Sequence, residues 1–213
     1  MREALIVWGG WNGHEPEQCA GIVARMLEED EFQVRLETET RAFADPDLSR
    51  FSLIVPIYTM SKIEKDEVAN LSRAVREGVG LAGFHGGMGD AFREAVEYQF
   101  MCGGQWVAHP GNIIDYRVII TRRDDPVMEG IQDFDYCSEQ YYMHVDPSNE
   151  VLATTTFNGQ HAEWIDGTVM PVVWKRRFGL GRVFYSSLGH VRTDFDVPEA
   201  CEIQRRGMLW ASR

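Results

Sequence analysis

Between residues 4 and 89, short apolar runs bounded by turn residues alternate with segments of helical period. "ALIVW" (4–8), "FQVRLE" (32–37) and "FSLIVPIY" (51–58) read as strands. Between the first two, Pro16 opens a helix in which Ile22, Val23, Met26 and Leu27 fall at helical spacing, with Glu15 and Glu17 near its positive end. A second helix over 64–77 places Val68, Leu71 and Val75 on one face, and "GVGLAGFHGG" then gives a short buried strand ending in glycines. A helical stretch over "DAFREAVEYQF" follows. Such strand–helix–strand units pack as a mostly parallel sheet with helices on both faces, an α/β fold.

The second half changes character. "YRVIITR" (116–122), "EVLATTT" (150–156), "VMPVVWK" (169–175) and "GRVFYSSLG" (181–189) are strands with few helices between them. Pro198 then starts a terminal helix carrying Ile203, Met208, Leu209 and Trp210. An added antiparallel or mixed section is expected in this half. At 213 residues the chain suffices for one sizeable core, and no Gly/Ser/Pro-rich linker, repeat or low-complexity tract divides it, so residues 1–213 are expected to form a single domain.

Composition removes several classes of function. The net charge of −12 disfavours a nucleic-acid partner, because that binding relies on Lys and Arg displacing counterions from phosphates. No run approaches the roughly 18 apolar residues of a membrane helix. The opening "MREALIVWGG" is too short and too acidic for a secretory signal, so a cytoplasmic location is expected. Cys19, Cys102, Cys137 and Cys201 lack CxxC spacing and read as free thiols of a reducing compartment.

In an open α/β sheet, ligands bind beyond the carboxyl ends of the strands. Three histidines fall at that edge: His14 after the first strand, His85 at the end of "LAGFH", and His190 closing "VFYSSLGH". The bend at His85 is the sharpest of these signals. Gly86, Gly87 and Gly89 follow it, and a glycine-rich strand-to-helix bend holds one side chain up at the site while its N–H groups approach a substrate oxygen. Imidazole at that point serves as base, acid or metal ligand rather than as an acyl-forming nucleophile; a plain hydrogen bond inside a packed turn is the alternative. Trp8 and Trp11 offer either flat faces for a sugar ring or core packing. His190, followed by Arg192 and Asp194, has the make-up of a base oriented by a carboxylate. His109, in "GGQWVAHPG", reaches the same edge or caps it, and His144 and His161 are expected at the surface.

Taken in order, "GFHGGMGDAF", "CGGQWVAHPG", "DDPVMEGIQDF", "SEQYYMHVDP" and "PVVWKRRFGLGRVFYSSLGH" resemble the trehalose-utilization (ThuA-like) proteins over nearly the whole chain, from residue 4 to the terminal helix. The resemblance implies a flavodoxin-like sheet of the class I glutamine amidotransferase type. His85 then stands where those enzymes carry their nucleophilic cysteine, and His190 where their histidine ends a strand, with "HVRTD" in place of the usual "HPE". Glutaminase activity needs a thiolate at position 85, so it is not expected. Sugar metabolism is implied instead, with a disaccharide or keto-sugar as substrate. Glu139 and Tyr141 match the family's acid-and-tyrosine segment; Ser138 replaces its first acid, where a carboxylate would bear on substrate hydroxyls or a metal shell.

Two readings follow. In the first, the chain is an enzyme, a sugar isomerase, hydrolase or lyase, with His85 and His190 exchanging protons. Trp11, His14, Gly86, Gly87, His109, Glu139 and Tyr141 would bind substrate. Its metal variant has His14, His85 and His190, with or without Glu139, holding a divalent ion such as zinc. In the second, the chain is a non-catalytic sugar-binding or regulatory module, supported by the missing cysteine at position 85 and by Trp8, Trp11, Trp106, Tyr141 and Tyr142. A homo-oligomer is compatible with either. A purely structural subunit explains the core but not the histidines, and both readings require those rings to meet in one cavity.

Overall fold

The computed structural model describes residues 2–213. In chain order its elements are β1 (Arg2–Gly10), α1 (Pro16–Glu29), β2 (Phe32–Glu37), β3 (Leu53–Thr59), α2 (Lys65–Arg76), β4 (Gly80–Phe84), α3 (His85–Gly89), α4 (Val96–Cys102), β5 (Gly104–Ala108), β6 (Ile113–Ile120), β7 (Phe134–Glu139), β8 (Tyr142–Val145), β9 (Glu150–Thr156), β10 (Val169–Phe178), β11 (Gly181–Ser186) and α5 (Pro198–Ala211). Nine strands form one sheet in the order β2-β1-β3-β4-β11-β10-β9-β6-β7. The five strands from β2 to β11 are parallel, and the remaining four continue the sheet antiparallel. β5 and β8 pair separately as a small antiparallel ribbon.

The parallel strands are buried on both faces, and their residues divide by the two-residue period of a strand. Ala4 and Ile6 of β1 pack with Val23 and Leu27 of α1 and Ile203 and Met208 of α5. Leu5 and Val7 face the other way, toward Leu71 and Val75 of α2 and Tyr98 and Met101 of α4. α1 begins at Pro16, whose missing N–H costs nothing in a first turn. α2 begins with a reciprocal cap between Glu64 and Glu67.

β3 and β4 pair only through Leu53 and Ile54. Beyond them the two strands separate, and α3 sits in the opening with Gly87 against the Ile57 backbone, where an added Cβ would lie 3.0 Å away. The carboxyl end of the sheet is thus held open by the start of a helix.

Three local expectations change. The helix expected over 90–100 is broken, because the carbonyls of Asp90 and Ala91 accept from the N–H groups of Met60 and Ser61 and are lost to a helical ladder. Helix resumes only at Val96. The last strand stops at Ser186, after which Ser187 N–H goes to the Val172 carbonyl and the chain turns away. Three further strands are present: β7 closes one edge of the sheet, and β5 and β8 form the separate ribbon. The four cysteines are free, and no helix among the described residues is long and apolar enough to cross a membrane.

Candidate functional site

Each of the three edge histidines is fixed by a different element. His14 closes a 3-10 turn (Asn12–His14), and its Nδ1 lies 2.9 Å from the hydroxyl of Thr59 at the end of β3. Gly86 permits this: a Cβ there would stand 2.6 Å from His14 Cε1. His85 is the first residue of α3, in left-handed backbone at φ 43°. Its carbonyl accepts from the Tyr185 hydroxyl at 3.1 Å, and its ring lies on Tyr141 with centroids 4.0 Å apart. His190 stands in the loop after β11. Glu15, Met60 and Asn112, in the loops that follow β1, β3 and β5, share the left-handed backbone of His85. Strain of this kind gathers where a site has to be shaped.

The rings converge. Centroid separations are 4.9 Å for His14–His85, 4.9 Å for His14–His190 and 5.1 Å for His85–His190. Glu139, last residue of β7, joins them, and one donor atom from each of the four side chains lies within 4.8 Å of every other.

Hydrogen bonding fixes one proton of the cluster. His85 Nδ1 is 2.8 Å from the Ser187 carbonyl oxygen, which can only accept, so Nδ1 carries the hydrogen. Nε2 lies 3.0 Å from Glu139 Oε2: a protonated ring donates there to the carboxylate, whereas a neutral ring sets two acceptors face to face that only a proton or a cation can join. Burial, with help from the nearby rings of His85 and His190, pushes the His14 pKa down to about 3, so at neutral pH it is uncharged. Burial, then His85, also lowers His190. For Glu139, burial alone would raise the pKa, but the His85 hydrogen bond and the surrounding imidazoles outweigh it and bring it down to about 2. Three imidazoles around one carboxylate match the nitrogen-rich donor set of zinc and related transition ions, and suit calcium or magnesium poorly.

The other expected residues take varied places. His109 Nε2 is 3.7 Å from Glu139 Oε1, while its Nδ1 is buried without a hydrogen-bond partner among the described residues. Trp11 meets His14 edge-on at 4.8 Å and is 48% exposed. Trp106 lies beside His109 at 5.5 Å, beneath the Arg93 guanidinium. Trp8 is packed against the core, and Tyr142 packs on Phe157. His144 and His161 are exposed.

At Gly86 and Gly87 the directions a side chain would take are filled by His14 and Ile57, so glycine is needed there for packing whatever its N–H groups meet. Two expectations are corrected. Asp194 does not touch the His190 ring but accepts from its backbone N–H at 2.9 Å. Ser138 faces away from the cluster and donates to Asp194 at 2.7 Å, because alternate residues of β7 point to opposite sides. Thr59 and Ser187 were missed. A polar residue closing the apolar run "LIVPIYT" was the signal for the first; the second acts through its carbonyl and has no sequence signal.

A family model described as ThuA, trehalose utilisation, matches residues 3–211. Among solved structures, a ThuA-like protein of Parabacteroides merdae has a TM-score of 0.79 at 18% identity, covering 99% of this chain and 89% of that one. A ThuA-like protein of Bacteroides uniformis gives 0.79 at 17% identity, with 98% and 89% covered. A β-galactosidase of Bacillus circulans gives 0.59 at 16% identity, and there 95% of this chain spans only 31% of the larger enzyme. No curated protein matches the sequence.

Proposed function

The chain belongs to the ThuA, trehalose-utilisation family, and from that premise we propose that it acts on a disaccharide or keto-sugar at the His14–His85–Glu139–His190 centre. The centre is suited to a divalent transition ion, zinc first, held by those four side chains. The observation that carries this reading is the convergence of one donor atom from each of the four side chains within 4.8 Å, with His85 Nε2 and Glu139 Oε2 3.0 Å apart, a contact that either a proton or a cation can join. A bound ion would supply Lewis-acid polarisation of a sugar oxygen.

The chain's own residues divide the remaining work. His85, 1% exposed with both ring nitrogens engaged, anchors the centre and is poorly placed to reach a substrate proton. Proton exchange falls to the rings nearer the surface, His190 and His109, whose side chains are 15% and 27% exposed. Trp11 gives a sugar ring an exposed apolar face beside His14. Tyr141 and Trp106 wall the other side. The same seclusion of His85 favours the second reading, a module that holds a sugar without transforming it.

Metal analysis of protein purified without chelator is expected to give close to one zinc per chain; less than about 0.1 per chain overturns the metal reading. Turnover of a disaccharide and keto-sugar panel, abolished by Glu139→Gln with sugar affinity kept, separates enzyme from module. Affinity with no turnover in the metal-loaded wild type supports the module.

A further inference from the structure

His190 stands on a loop beyond the last residue of β11, with no strand pairing to hold it. A side chain that must meet three others within ångströms needs a rigid support. Asp194, in the turn that follows, supplies one. A single oxygen, Oδ2, accepts from the His190 N–H at 2.9 Å, the Tyr136 hydroxyl at 2.8 Å and the Ser138 hydroxyl at 2.7 Å. The Tyr136 oxygen in turn accepts from Gly189 N–H at 3.1 Å. Asp194, Tyr136 and Ser138 are all buried.

Both hydroxyls come from β7, the strand that ends in Glu139. The two-residue period of that strand sends Tyr136 and Ser138 toward Asp194, and Glu139 toward His85. One strand therefore fixes two members of the centre, Glu139 directly and His190 through the loop. Bonds from neutral donors to a buried carboxylate are short and strong, and three of them on one oxygen leave the loop little freedom.

We propose that Asp194, clamped by Tyr136 and Ser138, is the positioning residue that presents His190 to the centre. It acts through the His190 backbone, never as a ligand. The proposal rests on the reading of the centre given above only where metal is concerned; the placement of His190 is a property of the metal-free chain as well.

The test uses the full chain with Asp194→Ala, Asp194→Asn and the double variant Tyr136→Phe/Ser138→Ala. In metal-free protein, diethyl pyrocarbonate modification of His190 is followed by peptide mass, with exposed His144 and His161 as internal standards. Loss of the carboxylate is expected to speed His190 modification about tenfold relative to the standards, with Asp194→Asn recovering most of the protection. In the cobalt-loaded protein, Asp194→Ala is expected to weaken Co²⁺ binding about tenfold to a hundredfold and to change the visible absorption band as His190 drifts from the ion. Where Asp194→Ala fails to fold, the double variant, which keeps the carboxylate and the His190 N–H, is expected to give the same changes at smaller size. Unchanged relative reactivity of His190 in a folded variant overturns the proposal, even if that variant melts lower. A wild type that binds no cobalt defeats the metal reading instead, and the His190 reactivity still decides this one.

Discussion

Two of the buried polar clusters in this fold differ in kind. The first surrounds Lys175 on β10. Its ammonium donates to Asp125 Oδ2, lies 4.7 Å over the Trp210 ring and has Glu150 at 3.9 Å. Asp125 Oδ1 is also used, accepting from Val127 N–H at 2.9 Å. Cation meets anion, the hydrogens match the lone pairs, and the cluster ties the segment after β6 to β10 under α5. The second cluster, His14, His85, His190 and Glu139, has one carboxylate and three titratable rings but no permanent cation. A complete cluster locks structure, whereas one with surplus lone pairs is arranged to receive something.

That contrast is broken most severely at the complete cluster. Lys175→Met leaves Asp125 buried without its cation and is expected to destabilise the protein by about 3–5 kcal/mol. At about 2–4 °C per kcal/mol for a domain of this size, thermal denaturation reads a fall on the order of 10 °C. The double variant Lys175→Met/Asp125→Leu recovers most of it, since a buried ion pair is often replaceable by apolar packing. Glu139→Gln is expected to act differently: metal affinity falls about a hundredfold, near 3 kcal/mol, while the metal-free chain loses less stability than in Lys175→Met, because the new amide still hydrogen-bonds His85 Nε2 and leaves no buried charge unpaired. Calorimetric titration with zinc, set beside the melting curve, checks both halves. If Glu139→Gln unfolds the protein as Lys175→Met does, the two clusters are the same in kind and the contrast is lost.

Gly86→Ala sharpens the comparison without removing a polar group, its methyl pressing on His14 Nδ1 at 2.8 Å. Its new methyl would meet His14 Cε1 at 2.6 Å and the Thr59 methyl at 3.0 Å. A core overpacked by one methyl costs about 1–3 kcal/mol, and here the ring that must give way is a member of the centre. Zinc affinity is expected to fall about tenfold, again read by titration. Unchanged affinity would mean that His14 is not held where the metal reading needs it.

The two clusters also differed in how visible they were in the sequence. The parallel half of the sheet and its helices were legible because β1, β3 and β4 are continuous apolar runs and α1 and α2 carry helical period. The three edge histidines were legible by position, each lying just past a strand. What fixes them was not. Ser187 works through a carbonyl, which every residue has. Asp194 was noticed beside His190, but its use of the backbone in place of the ring depends on Tyr136 and Ser138, more than fifty residues away. Lys175 and Asp125 are fifty residues apart and look like ordinary surface charges until β10 is laid over the segment after β6. Local period shows which residues line an edge; the partners that hold them are fixed only by tertiary pairing.

Acidification gives the smallest and most selective test of the surplus in the second cluster. His14 has its pKa near 3 in the folded protein, below the ordinary 6.5, so below pH 6.5 the unfolded chain binds a proton that the native chain refuses. Stability is then lost as pH falls from 6.5 toward 3, at about 1 kcal/mol per pH unit. Burial lowers His190 as well, adding in the same direction. Glu139 behaves differently in position though not in sign. Its pKa, near 2 against an ordinary 4.5, gives stability that is full above pH 4.5 and lost below it as pH falls through 2. Urea denaturation of metal-free protein between pH 6 and 5 therefore isolates the imidazoles. His14→Asn, whose amide can still meet Thr59, is expected to flatten the slope there while leaving the Glu139 share of the fall below pH 4.5 in place. An unchanged slope between pH 6 and 5 would show that His14 is charged in the folded state, and a cluster that already holds a cation has no surplus to offer a metal.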